Sequence, residues 1–302
     1  MKPTVTGSIF ACLLLVCGMG DLQAAEVISD TPKACDPCAD WNQPQDPFQI
    51  WGNTWYVGTK GLSSILITSE QGHILIDGGL PQSAPLIAVS IEKAGFHLKD
   101  VKLILNSHTH SDHAGGIAAL QRASGAEVAA SPKSKIALER GGPVEDDPQF
   151  GFGPVQNDYA PVHRVHAVRD GGKVTVGKLS LTAHFTPGHT PGGTTWTWVA
   201  CNVDNCLDVV YADSLNPVSA PDYRFSDHTD VVESLLRSMD TVAKLDCGIL
   251  LAPHPELFDR DAKLAARIRE NHFNTFMKRD ECRSYAEAAR QRLEKRLTDE
   301  KH

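Results

Sequence analysis

The stretch LILNSHTHSDHAGG, Leu103 to Gly116, places three histidines and an aspartate within six positions. The largely apolar segment VKLIL, residues 101–105, leads into this stretch and is typical of a strand buried in an α/β fold. On an extended backbone His108 and His110 project to the same side, and the tighter turn that follows lets Asp112 and His113 face a second centre. Because open α/β sheets bind their ligands at the carboxyl ends of strands, this stretch predicts a functional site there.

The donor types in this cluster are those that bind zinc. Neutral imidazole and carboxylate both ligate Zn²⁺, at about 2.0 to 2.1 Å. Four donors so close in sequence cannot all serve one tetrahedral ion and still leave a position open. Two ions are therefore the natural solution.

Three further segments place polar side chains at the ends of predicted strands. His189 lies in the turn of HFTPGHTPGG, His254 ends ILLAPH, and Asp213 and Ser214 end VVYADS. Taken alone, His254 would more often be a solvent-facing or structurally satisfied histidine, but the cluster makes it and His189 ligand candidates. The remaining histidines have no such partners and are predicted not to bind metal; they stand at positions 73, 97, 163, 166, 184, 228, 272 and 302.

Length and charge exclude some classes of protein. The chain has 302 residues, enough for a substantial core, and a net charge of -8. No basic stripe of the kind that follows nucleic-acid phosphates is visible. The Lys/Arg-rich segment RQRLEKRL has leucines at helical spacing and is typical of a solvated helix face.

The N-terminus has the pattern of an export signal. Residues 1–25 combine Lys2, the apolar core IFACLLLVCGMG and the small-residue cleavage site LQAA. The core is too short to span a bilayer, so we expect a periplasmic protein without a membrane anchor. A lipoprotein acylated at Cys17 is the less favoured alternative, because the bulky Val16 precedes that cysteine. Residues 26–302 are predicted to form one mature domain.

Export would place the remaining cysteines in an oxidising compartment. Cys201 and Cys206 bracket a polar turn between two predicted strands, which favours a disulfide between them. We also pair Cys247 with Cys282, a closure of about 35 residues that should stabilise the fold by roughly 3 to 4 kcal/mol. The motif CDPC, residues 35–38, lacks a βαβ context and is interpreted as either a tight structural disulfide or two free thiols.

The hydrophobic pattern predicts an α/β fold built from two similar halves. Short antiparallel strands cover FQIWGNTWYVGT, SSILITS and GHILIDGG, and helices then alternate with the strands VKLILNS and AEVAA. From RVHAV onward a second series of strands and helices begins, which favours two sheets face to face, helices outside, sharing one core. Residues 141–161 are predicted to be an irregular connection whose Phe150, Phe152 and Tyr159 either line a cleft or fill the loop's own core.

Four motifs carry a resemblance to a known family. HTHSDH, TPGHTPGG, YADSL and APHP, in this order and spacing, resemble the metallo-β-lactamase superfamily. The motif HxHxDH indicates only the superfamily. YADSL and the export signal narrow the resemblance to the third subclass of the class B metallo-β-lactamases, which GNTWYVGT, GHILIDGG, DPQF and TTWTW also resemble.

This resemblance implies a four-layer αβ/βα sandwich with two zinc ions in the cleft between its sheets. The implied ligands are His108, His110 and His189 for the first ion, and Asp112, His113 and His254 for the second. Ser214 would hydrogen-bond a metal-bound water. Asn216 replaces a Ser or Thr that in relatives contacts the substrate carboxylate. In other superfamily hydrolases an Asp bridges the two metals, so Asp213 as a bridging ligand is the minor alternative.

The implied activity is zinc-dependent hydrolysis of the β-lactam ring of penicillins, cephalosporins and carbapenems, which gives antibiotic resistance. The nucleophile would be a hydroxide between the zinc ions, since metal binding lowers the pKa of water from about 15.7 to about 7. Asp112 would orient it or relay its proton. We expect a monomer acting on small molecules. The alternatives are a hydrolase of the same fold acting on a lactone, thioester or phosphodiester, and a zinc-binding protein with a closed structural site.

Overall fold

The computed structural model describes residues 1, 27–203, 205–270 and 275–301. Apart from Met1, the predicted export signal lies outside these residues. Among the helices in the described ranges, none has both the length and the apolar character needed to cross a bilayer.

The first sheet follows the chain in order, one strand after the next. Within the described residues it has seven strands, and the first four pair antiparallel while the fourth to seventh pair parallel. Helices connect the parallel strands because a parallel pair needs a long crossover. The strands are β1 Phe48–Trp51, β2 Thr54–Tyr56, β3 Ile65–Ile67, β4 His73–Ile76, β5 Val101–Leu105, β6 Glu127–Ala130 and β7 Val165–Ala167.

The second sheet is formed by the C-terminal half in the order β12-β11-β10-β9-β8. Its neighbours pair antiparallel, except for the parallel pair of β11 and β12. Its strands, within the described ranges, are β8 Lys173–Val176, β9 Leu179–Phe185, β10 Thr194–Cys201, β11 Cys206–Tyr211 and β12 Ile249–Leu251.

One predicted strand belongs to the other sheet. RVHAV was expected to open the second series of strands, but β7 pairs parallel with β6 in the first sheet. Val165 is 3 % exposed and belongs to the apolar cluster beneath the helices of that sheet. Its burial there, which depends on contacts distant in sequence, decides the assignment.

The helices cover the outer faces of the two sheets. Ile87 and Leu120 pack into the cluster outside the first sheet, whereas Met239 and Leu293 join the larger cluster that also fills the space between the sheets. The predicted αβ/βα sandwich is therefore confirmed. The helices of the described part are α1 Cys38–Trp41, α2 Ala84–Lys93, α3 Ser111–Ala114, α4 Ile117–Ser124, α5 Pro132–Arg140, α6 Pro154–Asn157, α7 Thr229–Ala243, α8 Arg260–Glu270 and α9 Glu281–Asp299.

The connection at residues 141–161 is less irregular than predicted. It contains a 3₁₀ turn at Phe150–Phe152 and the helix α6, which begins with a proline, a residue well suited to the first helical position. Tyr159 is buried and its hydroxyl donates to the Thr109 carbonyl at 3.0 Å. Tyr159 therefore fills the base of the loop, while Phe150 is half-buried against the Arg140 guanidinium.

Disulfides join Cys201 to Cys206 and Cys247 to Cys282, as predicted. The first closes the hairpin of β10 and β11, where these two cysteines are cross-strand partners. Residues 35 and 38 are also bonded, which selects the disulfide over free thiols.

Candidate metal centre

The four predicted strand ends meet at one edge of the sandwich. Thr194 at the start of β10 donates its N–H to the Ser107 carbonyl at 2.8 Å, and Trp196 donates its indole N–H to the Asn106 carbonyl at 3.0 Å. These bonds join the second sheet to the segment that follows β5. The residues that follow β5, β9, β11 and β12 are thereby brought together.

A buried aspartate stabilises this contact between the two sheets by hydrogen-bonding to residues of both. Asp77 follows β4 in the left-handed conformation, with φ of 62°, which Asp tolerates better than most residues. Its carboxylate accepts the Ser107 N–H at 2.7 Å, the Ser107 hydroxyl at 2.6 Å and the Tyr211 hydroxyl at 2.8 Å. Burial raises the pKa of Asp77, although these donors favour its ionised form. Sequence reasoning missed this residue, for which the IDGG turn was the only available signal.

The first triad consists of His108, His110 and His189, whose ligand atoms lie within 4.8 Å of one another. In each of the three rings one nitrogen is hydrogen-bonded to another part of the protein, and the second nitrogen is available for a metal. Such partners orient imidazole ligands and raise their basicity. The bonds join His108 Nδ1 to Asp213 Oδ1 at 2.8 Å, His110 Nε2 to Asp147 Oδ1 at 3.1 Å, and His189 Nδ1 to the Asn216 carbonyl at 2.7 Å.

The electrostatics of this triad favour neutral imidazole at two of its three histidines, His108 and His189. Burial lowers the pKa of His189 to about 3 and the pKa of His108 well below its usual range. Burial also opposes protonation of His110, but the Asp147 carboxylate outweighs it and raises the pKa of that ring. Neutral imidazole is the form that ligates metals.

The second triad brings together Asp112, His113 and His254. Asp112 Oδ2 lies 3.1 Å from His113 Nε2 and 3.4 Å from His254 Nε2, and the two Nε2 atoms are 3.2 Å apart. Ligands on a tetrahedral zinc with bonds of about 2.0 to 2.1 Å are about 3.3 to 3.4 Å apart, so this donor set fits one ion. Burial opposes ionisation of Asp112, but the two histidines hold the pKa of its carboxyl well below the usual range.

The residues after β11 take up different positions. Asp213 contacts His108 through Nδ1, on the side of the ring away from Nε2, which disfavours a bridging role for Asp213. Ser214 is 1 % exposed. Asn216 is partly exposed and holds His189 through its backbone carbonyl rather than its side chain.

Asp147 is the second residue that sequence reasoning missed. It is 2 % exposed, its Oδ1 also accepts the Gln149 N–H at 2.8 Å, and it links the 141–161 connection to His110. Its only signal in the sequence was the DPQF motif of the resemblance.

Comparison with known proteins identifies the family. The model of the metallo-β-lactamase superfamily matches residues 58–254, and the chain belongs to this superfamily. Among solved structures, the Rm3 metallo-β-lactamase is 49 % identical with a TM-score of 0.85, covering 89 % of this chain and 100 % of that one. MEM-A1, a subclass B3 metallo-β-lactamase from a soil metagenome library, is 48 % identical with a TM-score of 0.83, covering 86 % and 98 %. The resemblance to the third subclass is therefore confirmed.

Curated relatives match over shorter stretches. A hydroxyacylglutathione hydrolase of Anaeromyxobacter dehalogenans (strain 2CP-C) is 32 % identical over 133 residues, which are 44 % of this chain and 40 % of that protein. An uncharacterised protein of Mycobacterium leprae (strain TN) is 30 % identical over 111 residues. The chain spans less than half the length of these two relatives.

Proposed function

We propose that this protein hydrolyses the amide bond of β-lactam antibiotics with the help of two zinc ions. The observation that carries the proposal is the pair of adjacent triads, His108/His110/His189 and Asp112/His113/His254, at one edge of a sandwich that matches subclass B3 metallo-β-lactamases. Penicillins, cephalosporins and carbapenems all contain this amide bond.

The first triad would hold one ion through His108, His110 and His189. The second would hold another through Asp112, His113 and His254. When bound, the ions supply Lewis acidity and water activated at neutral pH. Three protein ligands for each ion leave coordination positions open, as in catalytic rather than structural zinc sites.

The protein's own groups orient the reactants. The ionised Asp112 carboxylate, 15 % exposed, accepts a proton from the attacking water or holds that water in place. The Ser214 hydroxyl hydrogen-bonds water in the site. The Asn216 side-chain amide can donate a hydrogen bond to the substrate carboxylate in place of a hydroxyl, with an altered substrate preference.

The cellular setting follows from the N-terminal segment. Residues 1–25 direct export, so the mature domain acts in the periplasm, where hydrolysis of β-lactams protects the cell from the antibiotic. The domain acts there as a monomer. The Cys201–Cys206 and Cys247–Cys282 disulfides suit that oxidising compartment.

Turnover of a chromogenic cephalosporin and a carbapenem, with and without EDTA, tests this function. A lactone and a glutathione thioester serve as substrates for the alternative hydrolases. We expect lactam hydrolysis that EDTA abolishes and zinc restores. Hydrolysis of only the lactone or the thioester would assign a different substrate class, and bound zinc without any turnover would indicate a structural site.

A further inference from the structure

The two triads differ in how their imidazoles are held. Every histidine of the first triad has a hydrogen-bond partner on the nitrogen that faces away from the site. Within the described residues, the corresponding Nδ1 atoms of His113 and His254 are buried without a hydrogen-bond partner. Glu256 Oε1 lies 3.8 Å from His254 Nδ1, too far for a hydrogen bond, and within the described residues no other group completes one. Packing therefore has a larger part in orienting His254 than in orienting the histidines of the first triad.

An aromatic ring supplies that packing. The ring of Trp41, at the end of α1, lies 5.1 Å from the His254 ring at an interplanar angle of 53°. The Trp41 carbonyl accepts the Thr59 hydroxyl at 2.7 Å and the Gly61 N–H at 3.0 Å. A Cβ on Gly61 would lie 2.5 Å from Trp41 Cδ1, so the close approach requires glycine at this position.

The helix α1 is a single turn and depends on its surroundings. Isolated helices of this length are not stable in water. The Cys35–Cys38 disulfide closes the turn that leads into it, and Cys38 is 4 % exposed. Both cysteines pack with Leu62, Leu80 and Trp41 in a small apolar cluster separate from the two main clusters.

We propose that Trp41 is a positioning residue that holds His254 in its ligating orientation, and that the Cys35–Cys38 disulfide keeps Trp41 in place. Occupancy of the second metal centre then depends on α1, whereas occupancy of the first does not. This inference rests on the two-centre site proposed above but is independent of the substrate.

Metal titration tests the proposal without any measurement of activity. Metal-free protein is titrated with Zn²⁺ against a chromophoric chelator, for the wild type, Trp41→Ala and the matched control Trp55→Ala. Trp55 is a half-buried tryptophan of β2 that packs edge-on against Phe96, 5.4 Å away. We term zinc binding at the first triad the first step and zinc binding at the second triad the second step. We expect Trp41→Ala to weaken the second step by about 10- to 100-fold, the usual effect of removing a group that orients a ligand. The first step, and both steps of Trp55→Ala, should be unchanged.

Two milder changes keep the test decisive if Trp41→Ala does not fold. Trp41→Phe retains part of the ring contact and should weaken the second step less, and Gly61→Ala should displace Trp41 and weaken the same step. A Cys35→Ser/Cys38→Ser variant should shift it in the same direction, whereas Cys201→Ser/Cys206→Ser, which opens the other short disulfide loop, should not.

The outcomes separate the two proposals. A second step that is unchanged in the Trp41 and Gly61 variants overturns the positioning role, as does an equal weakening of both steps. A wild-type protein that binds only one ion overturns the two-centre site instead.

Discussion

Asp147 is the hydrogen-bond partner of His110, and two substitutions separate the effect of its charge on zinc binding from the effect of its hydrogen bond. Its Oδ1 accepts from His110 Nε2 at 3.1 Å and from the Gln149 N–H at 2.8 Å, while Oδ2 has no partner among the described residues. Asp147→Asn can keep both bonds and lose only the charge. Asp147→Ala removes both.

The expected sizes differ enough to be resolved. A hydrogen bond to a charged group contributes about 1.5 to 3 kcal/mol and a neutral one about 0.5 to 1.5 kcal/mol, so loss of the charge should cost about 1 kcal/mol. That is a weakening of roughly 5-fold, since 1.36 kcal/mol corresponds to a factor of ten. Complete removal of the partner should weaken binding by about 10- to 100-fold.

The assay is the first step of the zinc titration, together with kcat/KM for a cephalosporin. The matched control is Asp146→Asn, because the Asp146 carboxylate is 52 % exposed and pairs with Lys133 at 2.7 Å on the surface. Exposed pairs of this kind contribute little, so we expect no change in zinc binding. If first-step binding survives Asp147→Ala intact, or is equally weakened by Asp146→Asn, then Asp147 does not support His110 as a metal ligand.

Four further outcomes are expected. His110→Ala should abolish lactam hydrolysis while circular dichroism shows a folded protein, and retained activity would contradict the ligand assignment. Ser214→Ala should lower kcat without loss of bound zinc, as measured by metal analysis. Replacing Cys247 and Cys282 by Ser should lower the free energy of unfolding in urea by about 3 to 4 kcal/mol, and an unchanged midpoint would contradict the loop-closure argument. Burial opposes ionisation of Glu300, but Arg296 and two backbone N–H groups lower its pKa from 4.5 to about 2. A lowered folded-state pKa stabilises the protein above pH 4.5 and is lost as the pH falls towards 2, so Glu300→Gln should flatten the decline of the urea midpoint across that range.

Much of the fold could be predicted because its signals are local. The alternation of apolar and polar residues in β1 to β4 and the turn between Cys201 and Cys206 involve neighbours in sequence, and hairpins realise such patterns directly. The spacing of His108, His110, Asp112 and His113 likewise determines donor type and approximate direction from the backbone alone.

Contacts between distant segments decided the rest. β7 carries no signal that distinguishes the two sheets, and only the burial of Val165 against the first one assigns it. Asp147 and Trp41 are ordinary residues of loop-like segments until the fold carries them to within bonding or packing distance of His110 and His254. Which side chains can bind metal is predictable from the sequence, because that property depends on residue type and local spacing. The hydrogen-bond and packing partners of each ligand are visible only in the tertiary structure, because these contacts join segments that are distant in sequence and meet only in the folded sandwich.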